Sequence, residues 1–139
     1  MIDIASLIDH TLLKPEATAA EIKQLCEEAK TYGCASVCIN SVFLPVAYPL
    51  LKDSSVKLCT VVGFPLGANT TSVKVFEAQK AIQDGAQEID MVMRIGALTE
   101  NKYEEVVEDI RAVVEAAEGQ SVKVIIETCL LTNEEIKMA

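Results

Sequence analysis

The stretch YEEVVEDIRAVVEAAEGQSVKVIIE, residues 103–127, decides how the chain folds. Tyr103, Val106, Val107, Ile110, Val113, Val114 and Ala117 recur at helical spacing and form one apolar stripe. Gly119 ends the run, and Val122–Glu127 then reads as a short, β-branched strand. Upstream the same order of helix, glycine and strand repeats. Thr18-Ala19-Ala20-Glu21 is a capping box, in which a hydroxyl and a carboxylate satisfy each other's orphan amides. Ile22, Leu25, Cys26 and Ala29 follow as a stripe, Gly33 closes it, and Ala35–Asn40 is the next strand. A helix over 72–84 buries Val75, Ala78 and Ile82, ends at Gly85 and leads into the strand Glu88–Met93.

Two further strands fit this order. Lys57–Val62 is apolar and follows an irregular helix near Val42–Leu51 that Pro45 and Pro49 complicate. Ile8–Leu13 is the first strand, after a short amphipathic start at Ile2–Leu7. A last helix begins near Thr132-Asn133-Glu134-Glu135. With no linker, low-complexity tract or composition break, residues 1–139 read as a single domain of right-handed βαβ units around a parallel sheet.

The strand faces separate an open sheet from a barrel. Alternate residues share a face, and one set is apolar: Ala35, Val37, Ile39; Cys59, Val61; Ile89, Met91, Met93; Val122, Val124, Ile126. The other set carries Asp9 and Thr11; Ser36, Cys38 and Asn40; Thr60; Glu88 and Asp90; Lys123 and Glu127. A doubly wound sheet covers both faces with helices and wants both sets apolar. One polar face instead suits the interior of a parallel (β/α) barrel of the TIM type, whose strand C-termini line the functional mouth. Five βα units of such a barrel can be counted along the chain.

Composition narrows the partners. The net charge of -9 argues against nucleic acid or an anionic membrane surface. No secretory leader is visible, and no apolar run reaches the ~20 residues that span a bilayer. Cys26, Cys34, Cys38, Cys59 and Cys129 all fall within apolar elements, as reduced thiols used as small hydrophobes do in the cytoplasm. There is one histidine, His10, and no C-x-x-C pair, so a metal site is not expected.

Asp90 is the residue whose type and place most call for explanation. An unpaired carboxylate among apolar neighbours is costly, and Lys123 on the next strand is its natural partner. Such a pair serves either as an ion pair fixing strand register or as an acid/base relay. Asp9 and Thr11 begin the same face: Asp9 can cap a turn, Thr11 is a β-former, and both can line a site. Cys38 is either a core thiol or a pocket residue, with no Cys–His pairing to make it a nucleophile. Lys14 and Glu127 lie at strand ends. The turn Gly63-Phe64-Pro65-Leu66-Gly67 is neither GxGxxG nor a P-loop and reads as a sharp turn over the sheet's C-terminal edge.

Five motifs occur in order: Asp9-His10-Thr11-Leu12-Leu13; Val37-Cys38-Ile39-Asn40; Val62-Gly63-Phe64-Pro65-Leu66-Gly67; Glu88-Ile89-Asp90-Met91-Val92; and Lys123-Val124-Ile125-Ile126-Glu127-Thr128. Together they resemble the deoxyribose-phosphate aldolase family across the chain. That resemblance implies a class I, metal-independent lyase on an eight-stranded barrel, active in cytoplasmic deoxyribonucleotide breakdown. Its reaction is the reversible cleavage of 2-deoxy-D-ribose 5-phosphate to D-glyceraldehyde 3-phosphate and acetaldehyde through a lysine Schiff base. It further implies that Asp90 is the proton donor and acceptor, that Lys123 is the lysine beside it, and that Asp9, Thr11 and Cys38 line the substrate pocket.

The family's Schiff-base lysine sits in a Lys-Thr-Ser-Thr-Gly motif that the 139 residues do not contain. Lys137 reads as a solvated helix residue and no substitute. These residues alone are therefore expected to turn over little or nothing, with a non-catalytic, self-assembling half-barrel as the alternative. Open sheet edges predict homo-oligomers through those edges. A receiver domain with Asp90 as phosphoacceptor fails for want of an acidic cluster at the end of the first strand.

Overall fold

A computed structural model describes residues 4–139. Of the expected amphipathic start, Ile2 and Asp3 lie outside the described residues; Ala5–Leu7 form a 3-10 turn. The chain divides into two compact units, one running to Val61 and joined by Ala81–Glu88, the other made of Val62–Lys80 and Ile89–Ala139.

The first unit contains β1 (Asp9–Leu12), α1 (Ala19–Tyr32), β2 (Ser36–Ile39), α2 (Leu44–Leu51) and β3 (Lys57–Val62). The predicted capping box starts α1: the Glu21 amide donates to Thr18 Oγ1 at 3.3 Å, and the Thr18 amide donates to Glu21 Oε2 at 2.7 Å. Its stripe of Ile22, Leu25, Cys26 and Ala29 is buried against β1, β2 and α2. Pro45 sits in the first turn of α2, where its missing N–H costs nothing, but Pro49 lies inside the helix. The turn after α3 (Thr71–Gln83) brings Gly85 against Tyr48. A Cβ at Gly85 would stand 2.3 Å from that ring, and φ is +99°, so only glycine fits. From there the Gln87 amide donates to Leu58 O at 2.7 Å, and Lys57 Nζ reaches Glu88 Oε1 at 2.8 Å.

The strands β1, β2 and β3 are parallel, with Asp9, Ser36 and Lys57 in one row and Thr11, Cys38 and Cys59 in another. Partners in a row share a face. This corrects the sequence expectation in β3: Cys59 lies with Cys38 and Thr11, while Thr60 lies with Ile39 and Val37. The hydroxyl of Thr60 donates to Ile39 O at 2.7 Å, so a polar residue is satisfied by backbone on the face assigned to apolar side chains. His10, on that same face, meets Glu28 of α1 at 2.9 Å.

The second unit contains β4 (Glu88–Val92) from Ile89 onward, α4 (Ile95–Thr99), α5 (Tyr103–Ala116), β5 (Ser121–Ile125) and α6 (Asn133–Met138). β4 and β5 are neighbours, and the Met93 amide donates to Ile125 O at 3.2 Å. Met93, Ala97, Leu98 and Val106 form a core against which Tyr103, Ile110, Val124 and Ile126 pack. The stripe of α5 is shifted from its expected position: Val107 and Val114 are exposed, and Asp109 is fully buried among Val106, Val113 and Ala116. In α3, likewise, Val75 and Ile82 are only half-buried, whereas Lys74 and Ala78 are fully buried. Thr132 and Glu135 build a second capping box at α6. Cys129, expected within an apolar element, is exposed on a 3-10 turn.

Candidate functional site

Asp90 projects from the middle of β4 and Lys123 from the middle of β5. Lys123 Nζ lies 3.2 Å from Asp90 Oδ1, with the carboxylate side chain 16% exposed and the lysine side chain 42% exposed. The approach has ion-pair distance without hydrogen-bond alignment, and among the described residues no donor bonds this buried oxygen. A buried acceptor held near an ammonium but not bonded to it retains a lone pair for a third party. The half-open lysine leaves a way in for a water or a substrate atom.

The first unit places Asp9 and Cys38 on one face of its sheet, with Thr11 in the same row as Cys38. Asp9 Oδ1 accepts from Ser36 Oγ at 2.7 Å, its row partner at the start of β2. Thr11 donates to Asp9 O at 2.8 Å and is exposed. Cys38 is buried beside Cys59, the two sulfur atoms lying within 4.8 Å of each other. Elsewhere, on the buried face of α1, the Cys26 thiol is pushed up to about 11 by desolvation.

Three features go beyond the sequence reading or sharpen it. Lys74 and Asp109 form an ion pair at 2.6 Å with both side chains fully buried. Lys74 Nζ also donates to Val92 O at 2.9 Å, and Thr71 Oγ1 donates to the other Asp109 oxygen at 2.7 Å. The signal available was only the helical spacing of Lys74 with Ala78, easily read as a solvated lysine. Gly67 has φ +65°, and its Cβ would meet Met93 O at 2.0 Å, so the 63–67 turn lies directly on the exit of β4. Glu127 adopts φ 54°, uncommon for a residue with a Cβ, and swings the chain off β5.

Beyond β4 an open pocket of about 300 Å³ is walled by Leu66, Arg94, Gly96, Lys102 and Glu105. Arg94 pairs with Glu105 at 3.4 Å, and Lys102 pairs with Glu100. The Lys102 ammonium, by hydrogen bond and charge, holds the Glu100 carboxyl below its usual range, and Glu100 in turn holds Lys102 above its own.

A family model of DeoC/LacD aldolases matches residues 4–139. The deoxyribose-phosphate aldolase of Carboxydothermus hydrogenoformans is 59% identical over 136 residues, covering 95% of this chain and 60% of the relative. The solved structure of QR15, an aldolase, superposes with a TM-score of 0.94 at 41% identity, covering all of this chain and 62% of that one. A deoxyribose phosphate aldolase of Aeropyrum pernix, whose tetrameric structure is described as unique, superposes with a TM-score of 0.84 at 35% identity, covering 97% and 57%. The chain thus spans about 60% of the length of the curated relatives it matches. Its five strands alternating with helices are those of the parallel (β/α) barrel of the TIM type found in these aldolases.

Proposed function

We propose, since this chain belongs to the DeoC/LacD aldolase family, that Asp90 and Lys123 are the proton-transferring pair of a deoxyribose-phosphate aldolase. The reaction is the reversible cleavage of 2-deoxy-D-ribose 5-phosphate to D-glyceraldehyde 3-phosphate and acetaldehyde, with a lysine imine as electron sink. The observation that carries the reading is the open geometry of the pair: a buried Asp90 Oδ1 close to an ammonium yet bonded by no donor among the described residues. The oxygen so left can accept from a water or a substrate hydroxyl, as a relay requires. Asp9, Thr11 and Cys38 are read, by the family, as substrate-pocket residues, and residues 1–139 as a single domain. No cofactor takes part, because the imine does the electronic work.

The 139 residues contain no Lys-Thr-Ser-Thr-Gly motif, so the imine-forming lysine is to be supplied from outside them. By themselves they are expected to keep the proton-handling side of the chemistry without turnover. The cytoplasm is the expected compartment, where the substrate class occurs; no helix among the described residues is long and apolar enough to cross a membrane. A second reading, a self-assembling scaffold without catalysis, is favoured by exposed apolar residues such as Val73, Phe76, Val107 and Val114. Self-association would cover them, and a homo-oligomer is compatible with either reading.

The two readings separate by complementation. Residues 1–139 are fused to the segment of the Carboxydothermus hydrogenoformans relative that lies beyond the matched region, and cleavage of 2-deoxyribose 5-phosphate is followed. The expected result is turnover by the fusion and none by residues 1–139. A folded fusion that does not cleave the substrate overturns the proposal and leaves the scaffold.

A further inference from the structure

Lys74 is the largest fully buried side chain among the described residues, and nothing in the proposed chemistry uses it. Burying an ion pair is a poor route to stability, because desolvation offsets most of the Coulombic gain and apolar residues of equal volume do as well or better. The surroundings of Lys74 say what it does instead. One face of α3 carries Thr71, Lys74 and Glu77. Thr71 and Lys74 take one oxygen each of Asp109 on α5, and Glu77 Oε2 accepts the Gly63 amide at 2.8 Å. The Lys74 stem passes so close to Gly63 that a Cβ there would stand 2.9 Å from its Cε. Its ammonium ends on Val92 O, at the last residue of β4 and two residues beyond Asp90.

A strand's final carbonyl is ordinarily left to water or to fraying. Here it is held by a lysine that is itself clamped to a second helix. We infer that Lys74 and Asp109 are a positioning pair that fixes the C-terminal end of β4 and, through it, the approach of Asp90 to Lys123. The geometric claim stands by itself; its consequence for catalysis rests on the proposed role of Asp90 and Lys123. Gly67 braces the next residue, its backbone pressed on Met93 O. A relay that must keep an unbonded gap open needs such bracing, because displacements of about 1 Å at reacting groups are costly.

The test reads Lys123 directly. Residues 1–139 are treated with limiting acetic anhydride across a range of pH, and acylation of Lys123 is measured by peptide mass spectrometry against exposed Lys23 as internal reference. Asp90→Asn removes the carboxylate from Lys123 and is expected to raise its acylation rate about three- to tenfold at a pH where the amine is mostly protonated. The double variant Lys74→Met/Asp109→Leu, which leaves no buried charge unpaired, is expected to produce a rise of similar size. Adding Asp90→Asn to it is expected to give no further rise, because both changes act through one contact. Thr71→Val, which removes a single hydrogen bond from Asp109, supplies a smaller step in the same direction should the double variant not fold. If Lys74→Met/Asp109→Leu folds and Lys123 is acylated at the unaltered rate while Asp90→Asn speeds it, the buried pair only holds the fold and the inference is wrong. If Asp90→Asn itself changes nothing, the inference fails together with the premise that the carboxylate governs Lys123.

Discussion

The second unit holds two lysine–aspartate pairs that differ in almost every physical respect. Lys74 and Asp109 are fully buried, 2.6 Å apart, and the second carboxylate oxygen and the ammonium each have a further partner. Asp90 and Lys123 are 3.2 Å apart, the lysine half open to solvent and one carboxylate oxygen without a hydrogen-bond donor among the described residues. A closed network has no valence left for a substrate, so its value lies in rigidity. A pair left open keeps donor and acceptor capacity for a third group, at the expense of bond strength. Neighbouring elements of one chain thus use the same two residue types for opposite ends: one to hold still, the other to react.

The contrast is broken most forcefully at the closed pair. Lys74→Met alone leaves the Asp109 carboxylate buried without its ammonium and is expected to cost about 3–5 kcal/mol in urea or guanidinium unfolding. Lys74→Met/Asp109→Leu should recover most of that loss, as the exchange of a buried pair for apolar groups usually does. Equal destabilisation by the single and double variants would mean that the Val92 carbonyl, not the charge pair, is the stabilising contact. Next in size is Gly67→Ala. Strain at positive φ and the clash with Met93 O should together cost about 1–3 kcal/mol and loosen the exit of β4. Unfolding midpoints at constant slope would measure this.

The open pair should respond weakly. Lys123→Met removes one partly exposed partner, and its effect on stability should stay within about 1 kcal/mol. A loss comparable to that of Lys74→Met would make the two pairs alike and remove the basis of the distinction. The smallest effects lie at the helix caps. Hydrogen bonds from Thr18 lower the Glu21 carboxyl from its ordinary value of 4.5, and those from Thr132 do the same for Glu135. A lowered carboxyl contributes stability that is fully present above the ordinary value and is lost as pH falls through the lowered one. Acid titration of Glu21→Gln and Glu135→Gln should therefore show a flatter loss of helix signal than the parent below pH 4.5, and no difference from the parent's pH dependence near neutrality.

Much of the fold was legible because it rests on local rules. Thr18 with Glu21 and Thr132 with Glu135 announce helix starts, and Gly33 and Gly85 mark stops through positive φ. Lys57–Val62 could be bounded to the residue by its β-branched run. Its faces could not, because whether Thr60 is buried depends on a carbonyl of another strand, Ile39 O. Residue type misled most where a charge is buried: Lys74, and Asp109 among Glu104, Glu105 and Glu108, carry the pattern of solvated helix faces. Their burial follows from each other's position across 35 residues of chain, a relation no local period encodes. Val107 and Val114 show the converse, apolar residues at helical spacing that stay exposed on the second unit. At the candidate site, the adjacency of Asp90 and Lys123 was readable from strand order, but the missing hydrogen bond that distinguishes the pair was not.

The account turns on whether the open pair moves protons. The fusion of residues 1–139 to the remaining segment of the Carboxydothermus hydrogenoformans relative, carrying Asp90→Asn, tests this by steady-state cleavage of 2-deoxyribose 5-phosphate. Loss of a positioned acid/base group predicts a fall in kcat of about 10²–10⁴-fold with KM changed only a few-fold. A folded Asp90→Asn fusion with kcat within about threefold of its parent would contradict the account, and Asp90 with Lys123 would then be a second structural pair.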